Sequence, residues 1–375
     1  MRCLMNIPYV DLAGQHAPIK DKLLEAVGKV LDHGKFVLGE EVAEFEQRFT
    51  KLCDVQYAVA LNSGTDALIL AMRALGIGSG DEVITVANSF ITSTSCIICA
   101  GAKPVFVDVG EDYLMNPALI EQAITPRTKA ILPVHWTGQP ADIAAIMAIA
   151  KKHKLFVIED CAQAISAEYK GRRVGSWGDM GCFSLHPLKT LNACGDGGVI
   201  TTASKVLYEK LHSLRNNGFY QNDEWIYWSN NSRLDTIQAA MLLVKLDYLE
   251  VWTEKRRENA RFYQQHLKDL PQIQFSLPRD DMRAVYHTFV IQAQQRDELK
   301  KCLEQSGVNT KIHYAVPIHL QPAAKGLGYA QGSLPVTERQ AQRILSLPVH
   351  SQMDTAMLEY VTACIWDFYK TKGNA

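Results

Sequence analysis

Short β-rich apolar runs alternate with amphipathic stretches through the first two thirds of the chain, and that rhythm admits few folds. Tyr57–Leu61 (YAVAL) reads as a strand, followed by Asn-Ser-Gly-Thr and a helical pattern over 66–75. Strand patterns recur at 82–86, 104–107, 130–134 and 155–158, with helices expected over 89–100 and Ile143–His153. This βαβ alternation predicts a mostly parallel sheet covered by helices on both faces, since each crossover returns a helix onto the sheet. Two further strands, Met180–Ser184 and 198–201, flank a loop that carries Lys189. A long helix is expected over about 235–257 and beyond, from Met241, Val244, Leu246 and Leu249 at helical spacing. After Pro271 and Pro278 the pattern reads as strand (286–292), helix (296–306) and strand (311–314), then a Pro- and Gly-rich loop and a last helix. A chain of 375 residues exceeds one ordinary core. The reading is a large α/β domain over 1–250 and a smaller C-terminal α+β domain over 251–375.

Charge narrows the partners. Lys plus Arg number 39 and Asp plus Glu 40, so there is no basic field of the kind a nucleic-acid surface needs. A nucleotide within a small substrate remains open, because that requires only a local site. The apolar stretch 97–109 is broken by Gly101, Lys103 and Pro104, and nothing at the start resembles a secretory or membrane segment. A soluble chain with no membrane partner is expected. Nine cysteines are scattered without a framework, which suits a reducing cytoplasm. Cys96 and Cys99 form a CxxC on an apolar helix face and read as core thiols, with no metal assigned.

Three segments carry the chemistry. Asn62–Asp66 lies between a strand and a helix, where Gly64 admits close backbone approach and the amides of Gly64 and Thr65 start the helix. Such a terminus is a ready phosphate site, although an ordinary helix start capped by Ser63 or Thr65 looks the same. The apolar run ending at Ile158 delivers Asp160 to a strand end, where open α/β sheets bind ligands. A carboxylate buried there needs a partner: a protonated pyridine nitrogen would serve, and so would a helix start. Finally FSLHPLK places Ser184 and Lys189 on a loop before Gly195-Asp-Gly-Gly198, whose glycines allow tight turns. A lone lysine is normally a solvated surface charge. The order of phosphate turn, strand-end acid, then serine and lysine is what sets Lys189 apart.

In these motifs the chain resembles the DegT/DnrJ/EryC1/StrS sugar aminotransferases, within the fold-type I pyridoxal-phosphate enzymes. The resemblance rests on NSGTDAL (62–68), EDCAQA (159–164), FSLHPLKTLNACGDGG (183–198), NNSRLDTIQAA (230–240) and HYAVPIHLQPA (313–323). It implies an aspartate-aminotransferase-like fold and pyridoxal 5′-phosphate (PLP) held as a Schiff base on Lys189. It further implies Asp160 at the pyridine N–H, Gln163 near the ring's phenolic oxygen, and Phe90 stacked on the ring. Gly64, Thr65 and Ser184 would bind the phosphate. Asn231 would reach it from a partner subunit, which implies a homodimer with composite sites. Tyr314 and His319 match a segment that borders the sugar site. The family's Arg-Asn-His-Gly is here Arg215–Gly218 with Asn217 in place of the imidazole, and Thr190 stands where Asn follows the lysine.

The activity implied is transfer of an amino group from L-glutamate to a nucleotide-linked ketosugar. SLHPLK resembles the 3-aminotransferase branch, so a dTDP-3-keto-6-deoxyhexose giving a 3-amino-3,6-dideoxyhexose is the expected acceptor. A UDP-linked or 4-keto sugar is the alternative. The aromatic loop 225–228 would shelter base or sugar, or pack between subunits. Three rivals fare less well. A PLP-dependent sugar dehydratase would carry histidine in place of Lys189. A non-catalytic PLP-binding regulator would need a DNA-binding extension before Ile7. A dinucleotide-dependent oxidoreductase would need GxGxxG after the first strand.

Overall fold

The structure is a computed structural model that describes residues 5–373. Helix α1 (Leu12–His16) is capped by Asp11, whose carboxylate accepts from the Gly14 amide at 2.8 Å. Helices α2 (Lys20–His33) and α3 (Glu40–Cys53) end on left-handed Gly34 and Asp54. Then β1 (Tyr57–Leu61), α4 (Gly64–Ala74), β2 (Glu82–Thr85), α5 (Thr92–Cys99), β3 (Lys103–Phe106), α6 (Ile120–Ala123), β4 (Thr128–Ile131), α7 (Ile143–His153) and β5 (Phe156–Asp160) follow. Short β6 (Glu168–Tyr169) and β7 (Arg172–Arg173) precede β8 (Met180–Ser184), β9 (Gly198–Thr202) and α8 (Lys205–Leu214). The central sheet runs β1-β9-β8-β5-β4-β2-β3, parallel from β8 to β3, with β9 antiparallel to both neighbours. Its strands are buried along nearly their whole length, as a sheet covered on both faces requires.

The expected long helix over 235–257 is two helices, α9 (Thr236–Leu246) and α10 (Leu249–Leu267). The break coincides with a side chain from far along the chain. Arg48 donates to the Leu243 carbonyl at 3.1 Å, which leaves the Asp247 amide to Val244 O at 3.3 Å. A side chain inserted into the ladder in this way is a recognised source of kinks. Beyond it lie β10 (Ile273–Gln274), β11 (Met282–Arg283), β12 (Phe289–Ala293), α11 (Arg296–Gln305), α12 (Pro335–Arg343), β13 (Ile344–Leu347) and α13 (Thr355–Gly373). β10, β12 and β13 form a separate antiparallel sheet, and β11 pairs with β6. The segment 311–314 is not a strand: Lys311 makes a single bridge to Ser346 before the chain turns inward. The strand of that region is β13, which the Pro- and Gly-rich surroundings concealed.

A second apolar core forms around Tyr263, Leu267, Phe289, Ile291, Leu303, Leu345 and Ile365. Ile7 joins it by a parallel bridge to Val308. Of the CxxC pair, Cys96 is buried as expected whereas Cys99 is exposed, one turn on from it. Among the described residues no helix is long and apolar enough to cross a membrane.

Register decides what meets at the sheet's C-terminal edge. Leu61, Gly198 and Ser184 align across β1, β9 and β8, while Asp160 lies opposite Cys182. One residue before Asp160, Glu159 is wholly buried and faces the other side. Its carboxyl oxygens accept from the amides of Gly175, Trp177 and Gly178 at 2.9, 2.8 and 2.8 Å. His135 Nδ1 accepts from the Ala141 amide, so its proton sits on Nε2 and is donated to Glu159 at 3.0 Å. The donor atoms of His135, Glu159 and Cys161 lie within 4.8 Å of one another. Two of the three are committed to these bonds and burial pushes the Cys161 thiol well up, so the trio is a strut of the fold. Replacing Glu159 by leucine strands four donors and is expected to cost about 3–5 kcal/mol in denaturant unfolding. A loss below about 1 kcal/mol would show that the strut is dispensable.

Candidate active site

The site is assembled where β1, β5 and β8 end. Ser63 caps α4, its hydroxyl accepting from the Asp66 amide at 3.1 Å. The amides of Gly64 and Thr65 then lie in the first turn, where no helical carbonyl precedes them. A Cβ added at Gly64 would fall 2.6 Å from the Ser184 Cβ, so only glycine allows the two segments to touch. Ser184 ends β8 with its hydroxyl beside this turn. Two free amides and a hydroxyl around a space kept clear by a glycine form a cradle suited to a phosphate.

Asp160 is 4% exposed. One carboxylate oxygen accepts from Ser93 at 2.7 Å, and the other from the Ala162 amide at 3.1 Å. Ser93 in turn meets Ser89 at 2.8 Å. These two hydroxyls were not singled out in the sequence, where they sit in a run of small residues leading into α5. Gln163 uses its amide oxygen to accept from the Thr137 amide at 2.7 Å. Its NH2 is therefore the end left for a ligand, the right polarity for a phenolic oxygen.

Lys189 lies in a loop closed by Leu185 and Ala193, with its own amide donating to His186 O at 2.8 Å. Part of the side chain is accessible, yet burial drives the ammonium down to about 8, opposed by the charge of Asp160. The acid and the amine thus feel each other without forming an ion pair among the described residues, Asp160 being held instead by Ser93 and Ala162. His287 is pushed well down, first by burial and then by Lys189, and His313 to about 4 by the same two causes. Burial, then Asp160, raises the Tyr314 phenol. The sequence offered no signal for His287, and His313 stood in the HYAVPIHLQPA motif without a role assigned to it.

The remaining residues divide. Phe90 is 53% exposed, its ring 5.8 Å from that of Tyr314, so both edge the same opening. His319 stands apart: its Nε2 meets Glu338 at 3.0 Å and its ring approaches Tyr329. Asn231 is exposed, with its oxygen accepting from the Arg233 amide at 3.4 Å, and bridges backbone to backbone with Asn216. Asn217 has φ +60°, a left-handed conformation that Asn and His both favour, so the departure from histidine preserves the turn. Thr190 is buried. The aromatic loop is a surface hairpin, Phe219 bridging to Trp225, with Trp225 60% and Trp228 fully exposed.

Known proteins resemble this chain along nearly its whole length. Residues 18–366 match the DegT/DnrJ/EryC1/StrS aminotransferase family. A dTDP-3-amino-3,4,6-trideoxy-α-D-glucose transaminase of Streptomyces venezuelae is 41% identical, over 93% of this chain and 92% of its own length. A UDP-N-acetyl-3-dehydro-α-D-glucosamine 3-aminotransferase of Acidithiobacillus ferrooxidans is 44% identical, over 96% and 97%. The crystal structure of S. venezuelae DesV in complex with a ketimine intermediate superimposes with a TM-score of 0.95 at 40% identity, covering 97% of this chain and 98% of that one. Sequence and fold agree, and the chain belongs to the DegT/DnrJ/EryC1/StrS aminotransferase family.

Proposed function

We propose that this chain binds PLP on Lys189 and transfers the amino group of L-glutamate to C3 of a nucleotide-linked ketosugar. The observation that carries this reading is the convergence of a desolvated amine, a buried acid and a phosphate cradle at one sheet edge. Each part fits the cofactor. Gly64, Thr65 and Ser184 would take the phosphate, Asp160 the ring nitrogen, and the NH2 of Gln163 the phenolic oxygen. Phe90 would cover one face of the ring. When bound, PLP supplies the electron sink and the carrier of nitrogen between the two half-reactions.

The protein's own residues do the rest. Asp160 holds a proton at the ring nitrogen, its carboxylate fixed by Ser93 and Ala162. Lys189 Nζ would take the proton from the donor's Cα and deliver it to the cofactor's carbon, a role suited to an amine whose charged form is disfavoured by burial. Neutral His287 and His313 add no competing charge beside it. The names of both enzymes cited above place the amino group at C3 of their sugars, which supports a 3-keto acceptor here. The dTDP-linked 3-keto-6-deoxyhexose is our reading, and the 44% identity of the UDP-sugar enzyme favours a UDP-linked acceptor as the second. A homodimer completed by Asn231 is supported by exposed Phe36, Val37, Leu38, Trp225 and Trp228. Tyr314 would border the sugar, with His319 holding the loop behind it. Free cysteines suit a cytoplasmic setting.

Two outcomes test the reading. Lys189→Ala is expected to cut amino transfer to a panel of dTDP- and UDP-ketosugars by at least about 10³-fold while the chain stays folded. Turnover within about tenfold of the parent would overturn the assignment. The second concerns pH. Lys189 titrates near 8 when folded and higher when unfolded, so the folded chain bears the cost of a buried charge below pH 8. Stability of the cofactor-free protein should therefore rise with pH from about 8 into the ordinary lysine range. Lys189→Met should remove this rise and stabilise the cofactor-free chain at pH 7 by about 1–3 kcal/mol. An unchanged pH profile in that variant would contradict the buried amine.

A further inference from the structure

α9 lies outside the site yet grips the loop that carries Lys189. Lys245, near its end, is wholly buried, an unusual and costly place for an ammonium unless every donor is satisfied. Here each of its three donors has an acceptor: Asn192 O at 2.9 Å, Asn192 Oδ1 at 2.8 Å and Cys194 Sγ at 3.4 Å. Two turns earlier, Gln238 accepts from the Cys194 amide at 2.8 Å and donates to the Cys194 carbonyl at 3.3 Å. Asn192, held by both its carbonyl and its side-chain oxygen, sends its NH2 to Lys189 O at 3.1 Å and to Gln15 Oε1 at 3.2 Å. Lys245 is thus one hydrogen-bonded residue away from the backbone of Lys189. α9 is itself anchored, since Thr236 accepts from the Gly39 amide at 3.1 Å and α9 packs against α2 and α3.

We propose that Lys245, acting through Asn192, is a positioning residue that holds the Lys189 loop closed and keeps its amine out of water. Loops are ordinarily loose, and this one carries the group that must meet a substrate atom within a narrow range of geometry. An apolar residue at 245 would fill the volume but remove the donor that both Asn192 oxygens accept from. Burial lowers the Lys245 ammonium, and the three acceptors offset that cost, as a positioning role would justify. The inference rests on the reading of Lys189 as the cofactor-binding amine, but its test does not depend on turnover.

The test is competitive acetylation of the cofactor-free chain across a pH series, with labelling of Lys189 read by peptide mass spectrometry. Asp160, His186, His287 and His313 are the titratable neighbours facing that amine, and all are retained in the variants. In the parent the midpoint should lie near 8. In Lys245→Met it should rise to about 9 or above as water reaches the amine, and Asn192→Ala should do the same. In the loaded enzyme kcat should fall at least about tenfold with KM for the acceptor nearly constant, and the double variant should be little worse than either single one. A merely structural role would lower the melting temperature and leave the Lys189 midpoint where it was. An unmoved midpoint in Lys245→Met, or in Asn192→Ala if the former fails to fold, overturns the proposal. Full turnover in Lys189→Ala would instead overturn the proposed function and leave the midpoint experiment intact.

Discussion

Two neighbouring carboxyl groups at the end of β5 organise this protein, and the alternation of a strand sends them to opposite faces. Glu159 turns into the fold, where three backbone amides and His135 hold it. Asp160 turns to the sheet edge and meets Ser93. Because the first acid ties down the loop 175–178 and the strand end, the second sits on a rigid support. Moving either by one residue would exchange their faces. A structural acid would then face the site, and a site acid would face the fold.

Around Asp160 the physics is that of desolvation. Lys189, His287 and His313 are all basic groups whose charged forms are disfavoured by burial before any neighbour acts. Among the described residues, the charge of Asp160 opposes this at Lys189. The result is an amine available at mild pH beside a carboxylate, with neutral imidazoles nearby. A water-exposed lysine would stay protonated and need far more driving force to serve the same reaction.

Much of this was readable in the residue order. β1, β8 and α7 stand where the apolar runs placed them, because their patterns are local and bounded by Gly, Pro or polar caps. Gly64, Asp160, Ser184 and Lys189 gather because β1, β8 and β5 run in the same direction and end at one edge, with antiparallel β9 between β1 and β8. What escaped was set by distant partners. Arg48, almost two hundred positions earlier, breaks the helix after Leu246. Ser93 reads as part of a helix until Asp160 is seen beside it. His287 and Lys245 carry no motif, and only the packing of the second core and α9 shows what they face. His319, bound to Glu338, shows the reverse case, where a motif residue is engaged away from the amine.

The proposed function requires one amine, one acid and one phosphate cradle to share a ring between them. Borohydride reduction of the PLP-loaded protein, followed by proteolysis and peptide mapping, examines that most directly. A single stable pyridoxyl label is expected, on the peptide that contains Lys189. Label on any other lysine, or spread over surface lysines with Lys189 unmodified, would contradict it.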